Sequence, residues 1–278
     1  MIGQFLPPPI RRVVKSVAEI ALPVLETFTG FHTARGDYLP NRFRILLGNY
    51  EHDDLQLMAP LVHRAKMIFD VGANVGYVTR FLAQTAKPDA RIFSFEPNPI
   101  IFPILERNVA RFSNVRAFKF GLSNFDAEMP LFVAGNDHSV GSFSTGYPAT
   151  HAAYQNRGAV WSVLAQLVHG DQFAQREQLQ SLDALKIDVE GWELSVLDGL
   201  EQTIARSPDI SIFCEYNAAA QKCADRAPDE LPAWLIDRGF SLSVNVGGSL
   251  CDLPGNAADA VAALPTNTEY PTLFARRR

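Results

Sequence analysis

The stretch "FDVGANVGYVTRFLA", Phe69 to Ala83, decides the fold. An apolar run ends in Asp70, two glycines sit either side of Ala-Asn-Val, and a helical pattern begins at once. Val75, Val78 and Leu82 fall on one helix face, with Phe81 beside them. A buried strand that turns directly into a helix is the first half of a βα unit. Gly72 and Gly76 let the turn take φ values that other residues resist and bring the backbone close to a ligand. The free N–H groups at the helix start can hold a carboxylate or another anion. Asn74 adds a neutral donor and acceptor.

Outward from this turn, short apolar runs alternate with amphipathic segments. "MIFDV" (Met67 to Val71) is the first strand, and "RIFSFEP" supplies a second from Arg91 to Glu96, stopped by Pro97. A helix through Ile101, Leu105, Val109 and Phe112 leads to "VRAFKF", a third strand closed by Gly121. "ALKID" (Ala184 to Asp188) and "DISIFCE" (Asp209 to Glu215) make five parallel strands. Between them, "VEGWELSVLDGLEQTI" reads as one helix with Leu194, Leu197, Leu200 and Ile204 as its stripe. A helix through Leu231, Trp234 and Leu235 ends at Gly239, and "FSLSVNV" and "TLFARR" form an antiparallel pair at one edge. In the middle, "EMPLFVA" and Val163 to Val168 read as added strands. "GNDHSVGSFSTG" reads as a loop, and "GDQFAQREQLQ" as a short helix capped by Asp171. The expected class is α/β: a doubly wound, mostly parallel sheet with an antiparallel C-terminal edge pair and a helical N-terminal extension. The expected division is 1–60 for the extension and 61–278 for the cofactor-binding domain.

The chain has 278 residues, 25 basic against 30 acidic, for a formal net charge of −5. That balance argues against a nucleic-acid partner, which leaves a basic footprint, and no D/N-P-P-Y/F motif for base methylation occurs. Cys214, Cys223 and Cys251 form no CxxC pair and no metal-ligand spacing. No metal is predicted, although three rim acids leave a divalent ion open. The N-terminal segment opens with prolines rather than a signal-peptide pattern. Lys15, Glu19, Pro23 and Glu26 interrupt it, so no transmembrane segment is expected. A helix packed on its own domain is preferred over one lying on a membrane, with peripheral membrane contact left open. The expected location is cytoplasmic, and the oligomeric state is unreadable.

Asp70, Glu96, Asp188 and Glu215 fall at or just after strand C-termini, with Glu190 close behind. Each alone reads as a helix cap or dipole partner. Together they favour a ligand site, because doubly wound sheets bind ligands beyond the carboxyl ends of their strands. Glu96 lies 24 positions past Gly72, near the spacing at which an acid on the second strand takes both hydroxyls of a ribose. The glycine turn is G-x-x-x-G, neither the dinucleotide fingerprint nor a P-loop. A nucleoside-bearing cofactor is therefore expected. An NAD-dependent oxidoreductase and a non-catalytic binding module stand as alternatives, the first disfavoured by the glycine spacing and the lack of an evident Tyr-x-x-x-Lys pair. Lys186, unusual inside a central strand, is expected to snorkel or pair with an acid. His138 reads as a solvated loop residue ahead of a base, and Trp161 and Trp192 as packing ahead of an acceptor wall.

"FDVGANVGYVTRFLA", "FSFEPNPIIFPILERNV", "FGLSNFDAEMPLFV" and "LKIDVEGWELSVLDGL" resemble, in order, the FkbM-type family of S-adenosylmethionine-dependent methyltransferases. The resemblance runs from about Gly48 to Glu215 and omits the lead-in. It implies a Rossmann-like sheet, S-adenosylmethionine as cofactor, and methyl transfer to a hydroxyl of a carbohydrate, glycolipid or polyol-like natural product. It further implies that Asp70, Gly72, Asn74 and Gly76 cradle the amino-acid part of the cofactor. Glu96 would hold the ribose, Pro97 and Asn98 would shape the wall, Ser123 would lie toward the adenine, and Asp188 and Glu190 would sit beside the sulfonium. Oxygen is a poor nucleophile until its proton leaves. Asp188 is expected to orient the reactants, and Glu190 or Glu215 to take the proton.

Overall fold

In the computed structural model, which describes residues 8–135, 137–155, 159–266 and 270–277, every residue of Met67–Val71 (β1) is buried. The remaining strands are β2 (Arg91–Phe95), β3 (Val115–Phe118), β4 (Gly121–Ser123), β5 (Ala127–Ala134), β6 (Asp137–Ser142), β7 (Val160–His169), β8 (Ala184–Ile187), β9 (Ser211–Glu215), β10 (Phe240–Val246), β11 (Ser249–Asp252) and β12 (Thr272–Arg277). The main sheet runs β11-β10-β12-β9-β8-β1-β2-β3. β9, β8, β1, β2 and β3 are parallel, as the five apolar runs predict, and β12, β10 and β11 pair antiparallel. Chain order reverses at β1, which lies between β2 and β8, so the crevice beyond its carboxyl end is the switch point.

Successive strand residues feed opposite layers. Phe69, Phe93 and Ile212 pack with Leu194, Leu197, Leu231 and Trp234 on one face; Ile68, Ile92 and Phe213 pack with Leu55, Met58, Val78 and Leu82 on the other. This period of two, with apolar residues at both phases, is what covering a sheet on both faces requires. Each such side chain contributes about 1.5–3 kcal/mol by leaving water. Phe173 sits at the centre of an aromatic group with Phe69, Phe93, Phe95, Phe118 and Phe120, with ring centroids 5.0–6.0 Å away.

Four local readings are corrected. Gly121 does not close β3; it starts β4, which pairs with β7 in a second sheet ordered β4-β7-β5-β6. The small-residue segment from Gly135 to Gly146 is not a loop throughout, because β6 pairs its residues with β5. Its low side-chain bulk hid a strand whose partner supplies the pairing; Asn136 lies outside the described residues. The helix after β8 is two helices, Glu193–Gly199 and Glu201–Ala205, meeting at Leu200. Beside the break, a Cβ on Gly199 would meet the Ser123 carbonyl oxygen at 2.0 Å, so backbone packs directly on backbone there. Asp171 does not cap its own helix. Its carboxylate accepts from the N–H groups of Gln202 and Thr203 and so caps Glu201–Ala205.

Three helices precede β1: Pro8–Thr29, Leu39–Leu46 and His52–Val62. Leu22, Phe31, Ala34 and Leu46 form a cluster with Val75 and Ile101, which fixes the lead-in against the start of the sheet domain. Asn108 ties the same junction, accepting from the His32 N–H and donating to the Val75 carbonyl.

Candidate functional site

The carboxyl ends of β1, β2, β8 and β9 open onto two cavities that share Gly72, Asn74, Asp188 and Glu190. The first continues along Glu96, Pro97, Asn98, Gly121 and Leu122 and is covered by Leu131, His138 and Phe143 of the second sheet and its flank. Gly72 has φ 81°, and a Cβ on it would meet the Asp188 carbonyl oxygen at 1.8 Å. Only glycine fits there. Asn74 is also left-handed at φ 47°; its N–H donates to Glu96 Oε2 at 2.8 Å, and the Asn98 N–H donates to Glu96 Oε1 at 2.8 Å. Glu96 is thus held rigidly at the cavity wall. Burial pushes its carboxyl up to about 7 against the pull of those two donors. Asn74 Oδ1 is buried without a hydrogen-bond partner among the described residues.

Not every predicted contact reaches the cleft. Asp70, Gly76 and Ser123 line neither cavity. Asp70 is fully buried; Thr79 Oγ1 donates to it at 2.5 Å, and Lys186 Nζ lies 3.7 Å from its other oxygen. It braces the turn from behind. Gly76 starts the helix Tyr77–Thr85 at φ 85°, where a Cβ would press on Leu105 at 2.7 Å. Ser123 Oγ accepts from Trp192 Nε1 at 3.2 Å, and the Trp192 ring takes the place against the cavity. His138 is not a solvated loop residue: it is half-buried, 3.3 Å from Asn98 Nδ2, and edge-on to Trp161. Burial lowers its pKa, which favours the neutral ring.

Around the shared wall, Lys186 donates to Asp188 Oδ2 at 3.2 Å and to the Gly72 carbonyl at 3.4 Å. Burial alone would lower its pKa, yet Asp188, Asp70 and Glu51 outweigh it and hold the ammonium above the usual lysine range. It pairs with acids, as its position inside a central strand predicts. Burial, then Asp188, pushes Glu190 and Glu215 well above the ordinary carboxyl range. Glu190, left-handed at φ 49°, accepts from Asn217 Nδ2 at 2.9 Å. Glu193 accepts from the N–H groups of Val189 and Gly191 and bonds Gln221, which fixes the loop carrying Asp188.

The second cavity is lined by Asp37, Tyr38, Asn41, Arg42, Tyr50 and Glu51 from the lead-in, with Tyr147, Lys186 and Glu215 opposite. Glu26 holds this wall together: it accepts from the Thr33 N–H and hydroxyl at 3.0 and 2.6 Å and lies 3.5 Å from Arg42. Glu51, Tyr50, Tyr147 and Asn217 were missed from the sequence. Their approach depends on segments far apart in the chain, and only the left-handed φ of 49° at Glu51 marks it locally. Among the described residues, carboxylate oxygens of Glu51, Asp188 and Glu215 lie within 4.8 Å of one another. Burial and Asp188 push Glu51 up to about 7, against Lys186, so protons and one ammonium relieve the crowding.

A family model for the methyltransferase FkbM domain matches residues 70–242. Among curated proteins, hexuronic acid methyltransferase AglP of Haloferax volcanii is 28% identical over 167 residues, covering 59% of this chain and 61% of that protein. The 2-O-methyltransferase NoeI of Sinorhizobium fredii is 24% identical over 167 residues, covering 58% and 68%. Methyltransferase sdnD of Sordaria araneosa is 27% identical over 157 residues, covering 49% and 60%. The chain thus spans about 60% of the length of sdnD and AglP. Among solved structures, methyltransferase FkbM from Methylobacillus flagellatus superposes with a TM-score of 0.43 at 12% identity, over 92% of this chain and 58% of that one. The family match begins at the acid of the glycine turn, runs through every strand end that builds the cleft, and covers more than half of the chain: the protein belongs to the methyltransferase FkbM domain family.

Proposed function

We propose that the protein is an S-adenosylmethionine-dependent O-methyltransferase that modifies a hydroxyl of a carbohydrate, glycolipid or polyol-like natural product. The observation that carries this reading is the meeting of two cavities at Asp188, one walled by the glycine turn and the fixed Glu96 carboxylate and one by tyrosine, asparagine, arginine and carboxylate side chains. The residues of the first cavity fit S-adenosylmethionine. Glu96 offers a fixed carboxylate to a ribose, Gly72 leaves room where a Cβ would strike backbone, and Asn74 Oδ1 lacks a hydrogen-bond partner among the described residues. The names of AglP and NoeI, a hexuronic acid and a 2-O-methyltransferase, support a sugar acceptor.

When bound, S-adenosylmethionine supplies a methyl carbon already activated on a sulfonium. The chain then has to position an acceptor oxygen in line and remove its proton. Burial and the Asp188 charge raise the Glu190 and Glu215 carboxyls well above the ordinary range, which strengthens either one as a base once it is ionised and lets its protonated form donate a hydrogen bond to the acceptor. Asp188, on the shared wall and facing the Lys186 ammonium at 3.2 Å, is the proton acceptor in this reading. Lys186 pairs with the Asp188 carboxylate and orients it before the transfer, and the proton from the acceptor hydroxyl then neutralises that carboxylate as the C–O bond forms and the C–S bond breaks. The expected extension, 1–60, supplies the acceptor side through its residues from Thr33 to Glu51 on a cofactor-binding domain of 61–278, and a cytoplasmic location completes the proposal.

The test is incubation with methyl-labelled S-adenosylmethionine and separate pools of glycans, glycolipids and small polyols. Label should enter a hydroxyl-rich acceptor. Asp188→Asn should lower transfer about 10²–10⁴-fold while S-adenosylhomocysteine still binds. Tight binding of NAD with no label in any pool overturns the reading.

A further inference from the structure

We propose that the helix Pro8–Thr29 docks the protein onto an anionic lipid bilayer through its exposed apolar stripe. This helix has two apolar faces where a surface helix of a globular domain needs one. Ala18 and Leu22 are buried, and Leu25 packs beside them in the cluster that joins the lead-in to the domain. On the other side, Val17, Ile20, Val24 and Phe28 are 60, 73, 67 and 89% exposed. Their spacing of three, four and four keeps them on one line along the helix. Single exposed apolar residues are ordinary; a row of four large ones on one element marks an interaction surface.

Charge identifies the partner. The sequence of this helix carries Arg11, Arg12 and Lys15 before its first acid, Glu19, in a chain whose formal balance is −5. A local cationic run in an acidic protein is complementary to anionic headgroups, each such residue near the surface being worth about 1 kcal/mol. In sequence, Ile10 and Val13 continue the three-and-four spacing toward the N-terminus, and Arg11, Arg12 and Lys15 fall off that line on the polar side, the arrangement of an interfacial helix. An apolar row joined to a cationic run on a long helix is the pattern of a segment that lies in the interfacial plane. The helix does not cross: no helix among the described residues is long and apolar enough to span a membrane.

The stripe also connects to the cleft. Glu26, on the same helix, holds Thr33 and Arg42, and both line the second cavity. A helix resting on a bilayer therefore holds the acceptor-side wall at the lipid surface. The docking itself does not depend on the proposed reaction.

Vesicle flotation tests this with the full chain. One set of vesicles is phosphatidylcholine alone, and the other is an equimolar mixture with phosphatidylglycerol. The protein should float with the mixed vesicles at least roughly tenfold more tightly than with the neutral ones, and high salt should weaken that binding. Ile20→Asp combined with Val24→Asp should abolish flotation while circular dichroism and S-adenosylhomocysteine affinity stay unchanged. Arg12→Gln combined with Lys15→Gln should reduce the preference for phosphatidylglycerol. Retention of wild-type flotation by the Asp pair overturns the proposal. So does absence of flotation together with a dimer in sedimentation that the Asp pair splits, since the stripe then belongs to a second copy of the chain.

Discussion

Glu96 concentrates the physics of the site in one side chain. Both of its oxygens already accept from backbone N–H groups, yet burial holds its pKa at about 7. Hydroxyl donors from a ribose stabilise the ionised form, so affinity for S-adenosylhomocysteine should rise as pH increases toward about 7 and level off above it. Stability of the ligand-free protein runs the other way. A carboxyl raised from 4.5 to about 7 contributes stability that is complete below 4.5 and is lost as pH climbs through about 7. Glu96→Gln should remove both trends and weaken cofactor binding about 10–100-fold, measurable by calorimetry across that pH range. The acid was legible from its distance to the glycine turn, because a βαβ unit fixes that distance. Its neighbours divide on the same ground. The family resemblance implies ligand contacts for Asp70 and Ser123, but the structure turns both into the protein, where Thr79, Lys186 and Trp192 occupy them. A position at the rim does not determine which way a side chain points.

The elements that sequence periodicity located are those buried on two faces. β1, β2, β8 and β9 are short apolar runs with turn residues at their ends, and their bounds follow from that. β6 carries little apolar signal because it sits at the edge of the smaller sheet, paired with β5 alone. The broken helix after β8 looked continuous because the apolar stripe carries through the break, while backbone contact at Gly199 is silent in a pattern of side chains. The helix Gly170–Arg176 shows how much a short element can carry. Phe173 is buried among five other phenylalanines, so Phe173→Ala should cost about 3–5 kcal/mol, read from the urea midpoint at unchanged slope. A loss below 1 kcal/mol shows that the neighbouring rings collapse into the space.

At the scale of the molecule, the cleft is built from the Thr33 to Glu51 part of the lead-in and from both sheets. The fold class was readable because alternation of strand and helix determines it. The second cavity was not, since Glu51, Lys186, Tyr147 and Glu215 come together only through the packing of separate segments. Glu26 supplies a test of that assembly. It touches Thr33 and Arg42 but lines neither cavity, so Glu26→Ala should raise the acceptor KM several-fold and leave S-adenosylhomocysteine affinity unaltered. Parallel losses in both indicate that the two cavities move as one body.

The place of β12 has a kinetic consequence. It follows β10 and β11 in the chain but inserts between β9 and β10, so those two strands never bond each other. Until that downstream segment arrives, β9 presents a bare row of peptide groups, the kind of edge on which chains aggregate. Such long-range closure is slow. Refolding yield should therefore fall steeply with protein concentration, and a charge that disrupts Phe274 at the β9 seam should trap an open, sticky intermediate rather than merely lower the melting temperature.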